Sequence, residues 1–320
     1  MFNRYGRILV TGGAGFIGSH LVDRLLKEEI EVIAFDNLST GKQSNIEHHM
    51  NDKRFIFLKG DICDRDAVNK AVEGVDAVFH EAALVSVNRS VENPIATNAV
   101  NVTGTLNVLK ACVDKNVKRL VFASSSSIYG DTETLPKRED MAPNPISPYA
   151  VSKLAAENYA RAFFKVYGLE TVCLRYFNVY GPRQTSGPYS GVISIFVSNL
   201  LNDIRPTIFG DGEQTRDFTN VKDVVEANIC ALRSGRAVGE VFNVAAGHPI
   251  SINELVNILR KIIGKPELEA VHIEPRVGDI KHSYADISKA EELLTYRPKV
   301  SLSLGLTELV EYWKKTRYTQ

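Results

Sequence analysis

Two hydrophobic rhythms alternate through the first half of the chain. Short runs rich in Val, Ile, Leu and Phe predict strands: "RILVTG", "EVIAFD", "RFIFLKGD", "DAVFHEAA", "RLVFASSS" and "ETVCLRYFN". Between them apolar residues recur three or four apart, as in Ile17, Leu21, Leu25 and in Val102, Leu106, Leu109, Val113, which predicts helices with one buried face. Strands alternating with helices imply a parallel sheet covered on both sides. After about residue 178 the rhythm breaks into turn-rich pieces, "YGPRQTSGPYSG" and "FGDGEQTRDF", with isolated helices expected around 251–263 and 302–316. The expected organisation is a sheet domain over 1–178 and a smaller mixed lobe over 179–320. The stretch "RDFTNVKDVVEANICAL" again reads as strand and helix, so about 217–242 is expected to rejoin the first domain.

Candidate chemistry sharpens the first domain. In "ILVTGGAGFIGSHLVDRLL", Gly12, Gly15 and Gly18 lie between a strand and an amphipathic helix. Glycine there lets the backbone turn tightly and approach a pyrophosphate, whose charge rests on the free N–H groups of the helix N-terminus. The next strand ends in Asp36, 18 residues after Gly18, where a carboxylate accepts from the adenosine ribose hydroxyls and repels a 2′-phosphate. A doubly wound NAD-binding Rossmann sheet follows, with NAD favoured over NADP. Asp61 closes the third run and suits either the adenine ring or a helix N-cap.

The fifth run ends in "ASSSSIYG", residues 123–130, where four serines would stand at the carboxyl edge of the sheet, the edge at which such sheets bind ligands. About twenty residues on, "NPISPYAVSKLAAENYARAFF" opens a helix with Ser147 as cap and Pro148 at its first position. Tyr149 and Lys153 then share one face. A lysine ammonium, a nicotinamide cation and a helix N-terminus each favour the phenolate, so Tyr149 reads as a base, with a serine hydroxyl sharing the proton.

Composition narrows the partners. With 38 basic and 38 acidic side chains in 320 residues, no global field attracts nucleic acid or an anionic membrane. Cys63, Cys112, Cys173 and Cys230 are widely spaced and read as small core residues in a reducing compartment. There is no signal-peptide pattern and no long apolar segment, so a soluble cytoplasmic protein is expected. The seven histidines show no metal-binding spacing, and no metal is expected.

Taken together, "TGGAGFIG", "ASSSSIYG", "SPYAVSK" and "LRYFNVYGPRQ" resemble the extended short-chain dehydrogenase/reductase superfamily, and within it the UDP-glucose and UDP-N-acetylglucosamine 4-epimerases. The resemblance spans nearly the whole chain. It implies a bound NAD that oxidises the sugar transiently at C4, with Tyr149 as base and Lys153 on the nicotinamide ribose. Ser125 is implied as the catalytic serine, with Ser126 beside it. Related 4,6-dehydratases carry an Asp-Glu pair where this chain has Ser126 and Ser127, and serine supplies neither the acid nor the base that dehydration needs. The same resemblance places the cofactor against Phe16, Ile17, Asn37, Ser39, Gly41 and Ile62, and further against Ala82, Ala83, Asn101, Tyr176 and Phe177.

For the nucleotide sugar it implies Asn178, Arg216 and Arg276 at the diphosphate, Ile208 and Phe209 around the uracil, and Asp279 at the ribose. Ser86 and Val192 complete the substrate set. Seven residues after Arg276, galactose-only bacterial epimerases place a tyrosine beside C2 of the sugar; this chain has Ser283, which leaves room for an N-acetyl group. Two alternatives stay open: a UDP-glucuronate 4-epimerase, for which Ser86 or Arg183 could meet the carboxylate, and a non-catalytic NAD-binding module. A homodimer through helices near 92–115 and 149–167 is also implied, with Phe163, Phe164 and Val166 available to that face or to the core.

Overall fold

In the computed structural model, which describes residues 4–184, 191–275 and 280–317, the six apolar runs form β1 (Arg7–Thr11), β2 (Glu31–Asp36), β3 (Phe55–Lys59), β4 (Ala77–His80), β5 (Arg119–Ser125) and β6 (Glu170–Tyr176). They lie in one parallel sheet in the order β3-β2-β1-β4-β5-β6, and Val241–Val244 adds a seventh parallel strand beside β6. The strand order reverses between β1 and β4. That reversal opens a crevice at the carboxyl ends, where dinucleotides bind.

One buried cluster joins the helices Phe16–Leu26 and Val221–Arg233 to one face of the sheet, through Leu21, Leu25, Val224 and Ile229. A second covers the other face with Val68, Val108, Leu109 and Ala160. The return of 221–244 to this sheet leaves a third core between the helices Val192–Leu201, Ile252–Ile263 and Leu302–Arg317. The strands of that lobe have only two or three residues each. Pairs that short carry little periodic signal, which is why the sequence shows turns there rather than a sheet.

One expected helix face is displaced. The pattern of Val102, Leu106, Leu109 and Val113 would make those four the buried stripe, whereas Thr105, Val108, Leu109, Ala111 and Cys112 are the fully buried ones, with Leu106 and Val113 half-buried on the same core and Val102 not part of it. Residues Ala99–Gly104 are wound as a π-helix, which adds a residue to the turn and rotates everything after it. Gly104 sits against Ile62: a Cβ there would lie 2.7 Å from the Ile62 side chain. Among the described residues, no helix is long and apolar enough to cross a membrane.

Candidate active site

The glycine turn is built for close approach. Gly12 has φ +66°, and a Cβ on it would lie 2.9 Å from the Ala82 backbone nitrogen. A Cβ on Gly18 would lie 2.1 Å from the Gly12 carbonyl, so the first turn of the helix packs directly on the strand-to-helix turn. Gly15 caps that helix without a side-chain bond and no acid occupies its first turn, so its N–H groups face the crevice unopposed. His80 braces the crossing point. Thr105 donates to the Asn101 carbonyl and so accepts from His80 Nε2 (3.0 Å), leaving Nδ1 to accept from Thr11 (2.7 Å). Burial holds this ring neutral, with its pKa lowered to about 3.

Asp36 is buried; its two oxygens accept from Ala14 N (3.0 Å) and Leu38 N (2.7 Å), tying the glycine turn to the end of β2. Burial pushes its carboxyl up, and those backbone donors oppose the rise. Asp61 is not a helix cap: Asp64 caps the helix Arg65–Ala71, while Asp61 accepts from Cys63 N (2.8 Å) and Asn37 Nδ2 (2.8 Å). Both carboxylates face one cavity of ≈ 1080 Å³ that runs from the glycine turn along the strand ends to the second lobe.

Its far half holds the serine tract. Ser124 turns inward and donates to Glu157 (2.6 Å). Ser125 faces the cavity and caps the tight turn Ser126–Tyr129, accepting from Ser127 N (3.2 Å) and pairing with the Ser127 hydroxyl (2.9 Å). Ser147 and Pro148 open the helix Pro148–Tyr167, and Ser147 accepts from Ala150 N (3.1 Å). Tyr149 is pinned at its start by donating its N–H to Ser90 (3.0 Å). Its side chain is buried, and its hydroxyl lies near enough to Ser125 for that serine to favour the phenolate. Burial raises the Tyr149 pKa and Ser125 pulls it down, burial being the larger effect. Lys153, one turn on, lies 4.7 Å over the Phe122 ring, and burial lowers its pKa to about 8.

Beneath these groups lies a buried network. Arg175 on β6 forks onto Glu157 (3.0 and 2.7 Å) and donates to Tyr129 (2.8 Å), which donates to Asn243 (2.7 Å). Tyr149, Lys153 and Glu157 therefore form one stripe of a single helix, anchored to both β5 and β6.

The cavity wall includes Gly12, Gly15, Phe16, Ile17, Gly18, Asp36, Asn37, Ser39, Asp61, Ile62, Ala82 and Ala83 from the expected cofactor set, with Tyr149, Tyr176 and Phe177. Lys153, Gly41 and Asn101 stand behind it: Gly41 backs onto Asp36, and Asn101 bonds both backbone groups of Leu84 and the Ser152 hydroxyl. From the expected substrate set, Ser86, Ser125, Ser126, Asn178, Arg216 and Ser283 reach the cavity. Ser86 also caps a helix, accepting from Arg89 N (3.2 Å). Ile208 and Val192 pack in the core of the second lobe and Phe209 ends a short strand beside it; none of the three lines the cavity. Arg276 and Asp279 lie outside the described residues. Asp23, His48 and His49 bring ligand atoms within 4.8 Å of one another, but Arg183 already donates to Asp23 at 2.7 Å.

Sequence reasoning missed Glu81, Arg89 and Gln184, all on the wall. Only Glu81 carried a signal: a charged residue closing an apolar run, in "FHEAA".

Residues 8–245 match the NAD dependent epimerase/dehydratase family. The chain belongs to that family. It is 42% identical over 98% of its length to a putative UDP-glucose 4-epimerase from Methanocaldococcus jannaschii, covering 100% of that protein. A solved UDP-N-acetylglucosamine 4-epimerase from Methanobrevibacter ruminantium, in complex with UDP-N-acetylmuramic acid, superposes with TM-score 0.93 at 40% identity, covering 97% of this chain and 99% of that one. A UDP-glucose 4-epimerase from Thermotoga maritima with UDP-glucose gives 0.92 at 41%, with the same coverage. NAD is the family's cofactor, and the Gly12–Gly18 cradle with its uncapped helix end fits a dinucleotide pyrophosphate.

Proposed function

We propose that this chain is an NAD-dependent UDP-hexose 4-epimerase, acting on UDP-N-acetylglucosamine and UDP-N-acetylgalactosamine as well as on UDP-glucose and UDP-galactose. The observation that carries the reading is that Tyr149 and Ser125 line the same cavity as the glycine turn, with Ser126 and Ser127 where elimination would need acids. Bound NAD supplies a hydride acceptor that becomes the donor on return, and a cationic ring that favours the Tyr149 phenolate. Tyr149 takes the proton of the sugar 4-hydroxyl and gives it back after the ring has turned over. Ser125 shares that proton, and Lys153 holds the nicotinamide ribose. Arg216 and Asn178, with Arg276 and Asp279, are the diphosphate and ribose contacts of this reading. Mixing the purified protein with each UDP-hexose and following epimer exchange tests it; no exchange with any of them overturns it. The uronate alternative is not favoured, since the UDP-glucose and UDP-N-acetylglucosamine 4-epimerases above match at 40–42% identity and a UDP-glucuronate 4-epimerase at 38%.

Ser283 supports the acetamido branch. It pairs with Arg216 across a short parallel ladder, and both face the cavity, so a larger side chain at 283 would project beside the sugar. Ser283→Tyr is expected to lower kcat/KM for UDP-N-acetylgalactosamine by on the order of 100-fold while leaving UDP-galactose within a few-fold. Equal losses on both sugars would count against this placement.

The domain division proposed is 1–178 with 217–242 for the cofactor and the rest of 179–320 for the sugar nucleotide. Cytoplasmic residence accords with four free cysteines, of which Cys112 and Cys173 are core residues as expected, whereas Cys63 is exposed and Cys230 only half-buried. A homodimer accords with apolar side chains left exposed on three helices that contact one another: Ile95 is 82% exposed and Val166 71%, and Val91, Val151 and Tyr159 are exposed as well. Phe163 is instead buried in the core and Phe164 packs on Gly239. Ile95→Glu is expected to convert the sedimenting species to a monomer; a wild-type monomer at micromolar concentration would sink the pairing.

A further inference from the structure

The serine tract leaves the sugar side of the cavity without acids, yet a carboxylate stands on the nicotinamide side. Three acidic residues line the cavity: Asp36, Asp61 and Glu81. The first two close β2 and follow β3, on the adenosine side of the strand reversal. Glu81 follows β4, the first strand on the other side, over whose end the nicotinamide half of a dinucleotide crosses. Among the described wall residues it is the only acid there.

Its placement is built rather than incidental. Glu81 accepts from the Tyr176 hydroxyl at the end of β6 (2.8 Å), and Tyr176 in turn accepts from the fully buried Asn228 (2.7 Å). Three elements thus converge to hold one carboxylate at the sheet edge. The other nearby acid, Glu157, is fully matched by Arg175 and Ser124. Glu81 has no cation within salt-bridge distance among the described residues; Lys153 acts on it only through space. Burial raises its pKa to about 7, so it is ionised above neutrality, and a nearby cation extends that range downward.

We propose that Glu81 is the anionic partner of the oxidised nicotinamide: its carboxylate favours the cationic ring over the neutral reduced one, and so favours return of hydride to the keto sugar. An epimerase has to give back what it takes within each turnover, and a site too oxidising would stop halfway. The purpose rests on the epimerase reading; the electrostatic effect rests only on NAD binding.

The test separates the two. Dimethylamine borane, a hydride donor, reduces bound NAD by giving a B–H hydride to C4 of the ring, and the product is read at 340 nm without any sugar. In that step boron takes up a water oxygen in place of the hydride; at pH 8, Glu81→Gln is expected to raise the reduction rate roughly tenfold, the effect of an interaction worth about one pKa unit. Because Lys153 could lose its proton when its neighbour is neutralised, the comparison is repeated as Lys153→Met against Lys153→Met with Glu81→Gln, where the rise should persist. Tyr176→Phe, which withdraws the bond that favours the ionised form, should move the rate the same way by less. Dinucleotide content per chain reports whether each variant is folded. Unchanged rates in both backgrounds overturn the proposal and leave Glu81 as an anchor for Tyr176. A wild-type protein that shows the effect but interconverts no UDP-hexose would instead overturn the epimerase reading.

Discussion

Tyr149→Phe is expected to lower kcat for UDP-hexose epimerisation by roughly 10²- to 10⁴-fold, the range over which a positioned proton carrier acts. The substitution removes one oxygen. The phenyl ring still fills its buried place, and the helix start remains held by the Tyr149 N–H bond to Ser90 and by the Ser147 cap. Bound dinucleotide should therefore stay near one per chain while turnover collapses. A phenol is ordinarily protonated near neutrality, burial raises the Tyr149 pKa further, and Ser125 only partly opposes that rise. A bound cationic nicotinamide would add to the pull of the helix N-terminus and Lys153, so the base should be stronger in the loaded enzyme. A variant that kept more than a tenth of wild-type turnover would remove Tyr149 from the reaction.

The second large effect is on stability. Arg175→Ala is expected to destabilise the fold by ~3–5 kcal/mol, the usual cost of stranding a buried charge. Glu157 is fully buried and would keep only Ser124, and Tyr129 would lose its charged donor. Arg175→Lys should fall between the two, because an ammonium cannot reproduce the fork on both Glu157 oxygens together with the Tyr129 bond. Urea unfolding followed by circular dichroism reads the difference. A loss below about 1 kcal/mol for the alanine variant would mean that Glu157 is neutralised some other way. Since Ser124 is tied to Glu157 and Ser125 follows it in the chain, Arg175→Ala should also loosen the serine turn and reduce turnover.

Much of this is legible in the sequence alone. The strands announced themselves because a sheet buried on both faces needs continuous apolar runs, and "EVIAFD" or "RLVFA" allow little else. The glycine spacing and the four-residue step from Tyr149 to Lys153 are local, so chain order alone encodes them. Contacts across great sequence distance are not encoded that way. Glu81 meets Tyr176 across 95 positions, and nothing in "FHEAA" says which way its carboxylate points. Arg175 and Glu157 read equally well as surface charges until packing brings them together. The π-helical turn at Ala99–Gly104 shifted the face of the following helix, a change of phase that a fixed 3.6-residue period cannot represent.

The helix Pro148–Tyr167 has two working sides. Tyr149, Lys153 and Glu157 run along one; Val151, Tyr159 and Val166 stand exposed on another. If two copies join there as proposed, the rod that carries the base is also the seam of the assembly, and the stiffness of the proton carrier becomes a property of the pair. Separated partners would then keep their architecture while their reactive edges drifted, so association would set how well the enzyme works before it set whether the chain stays folded.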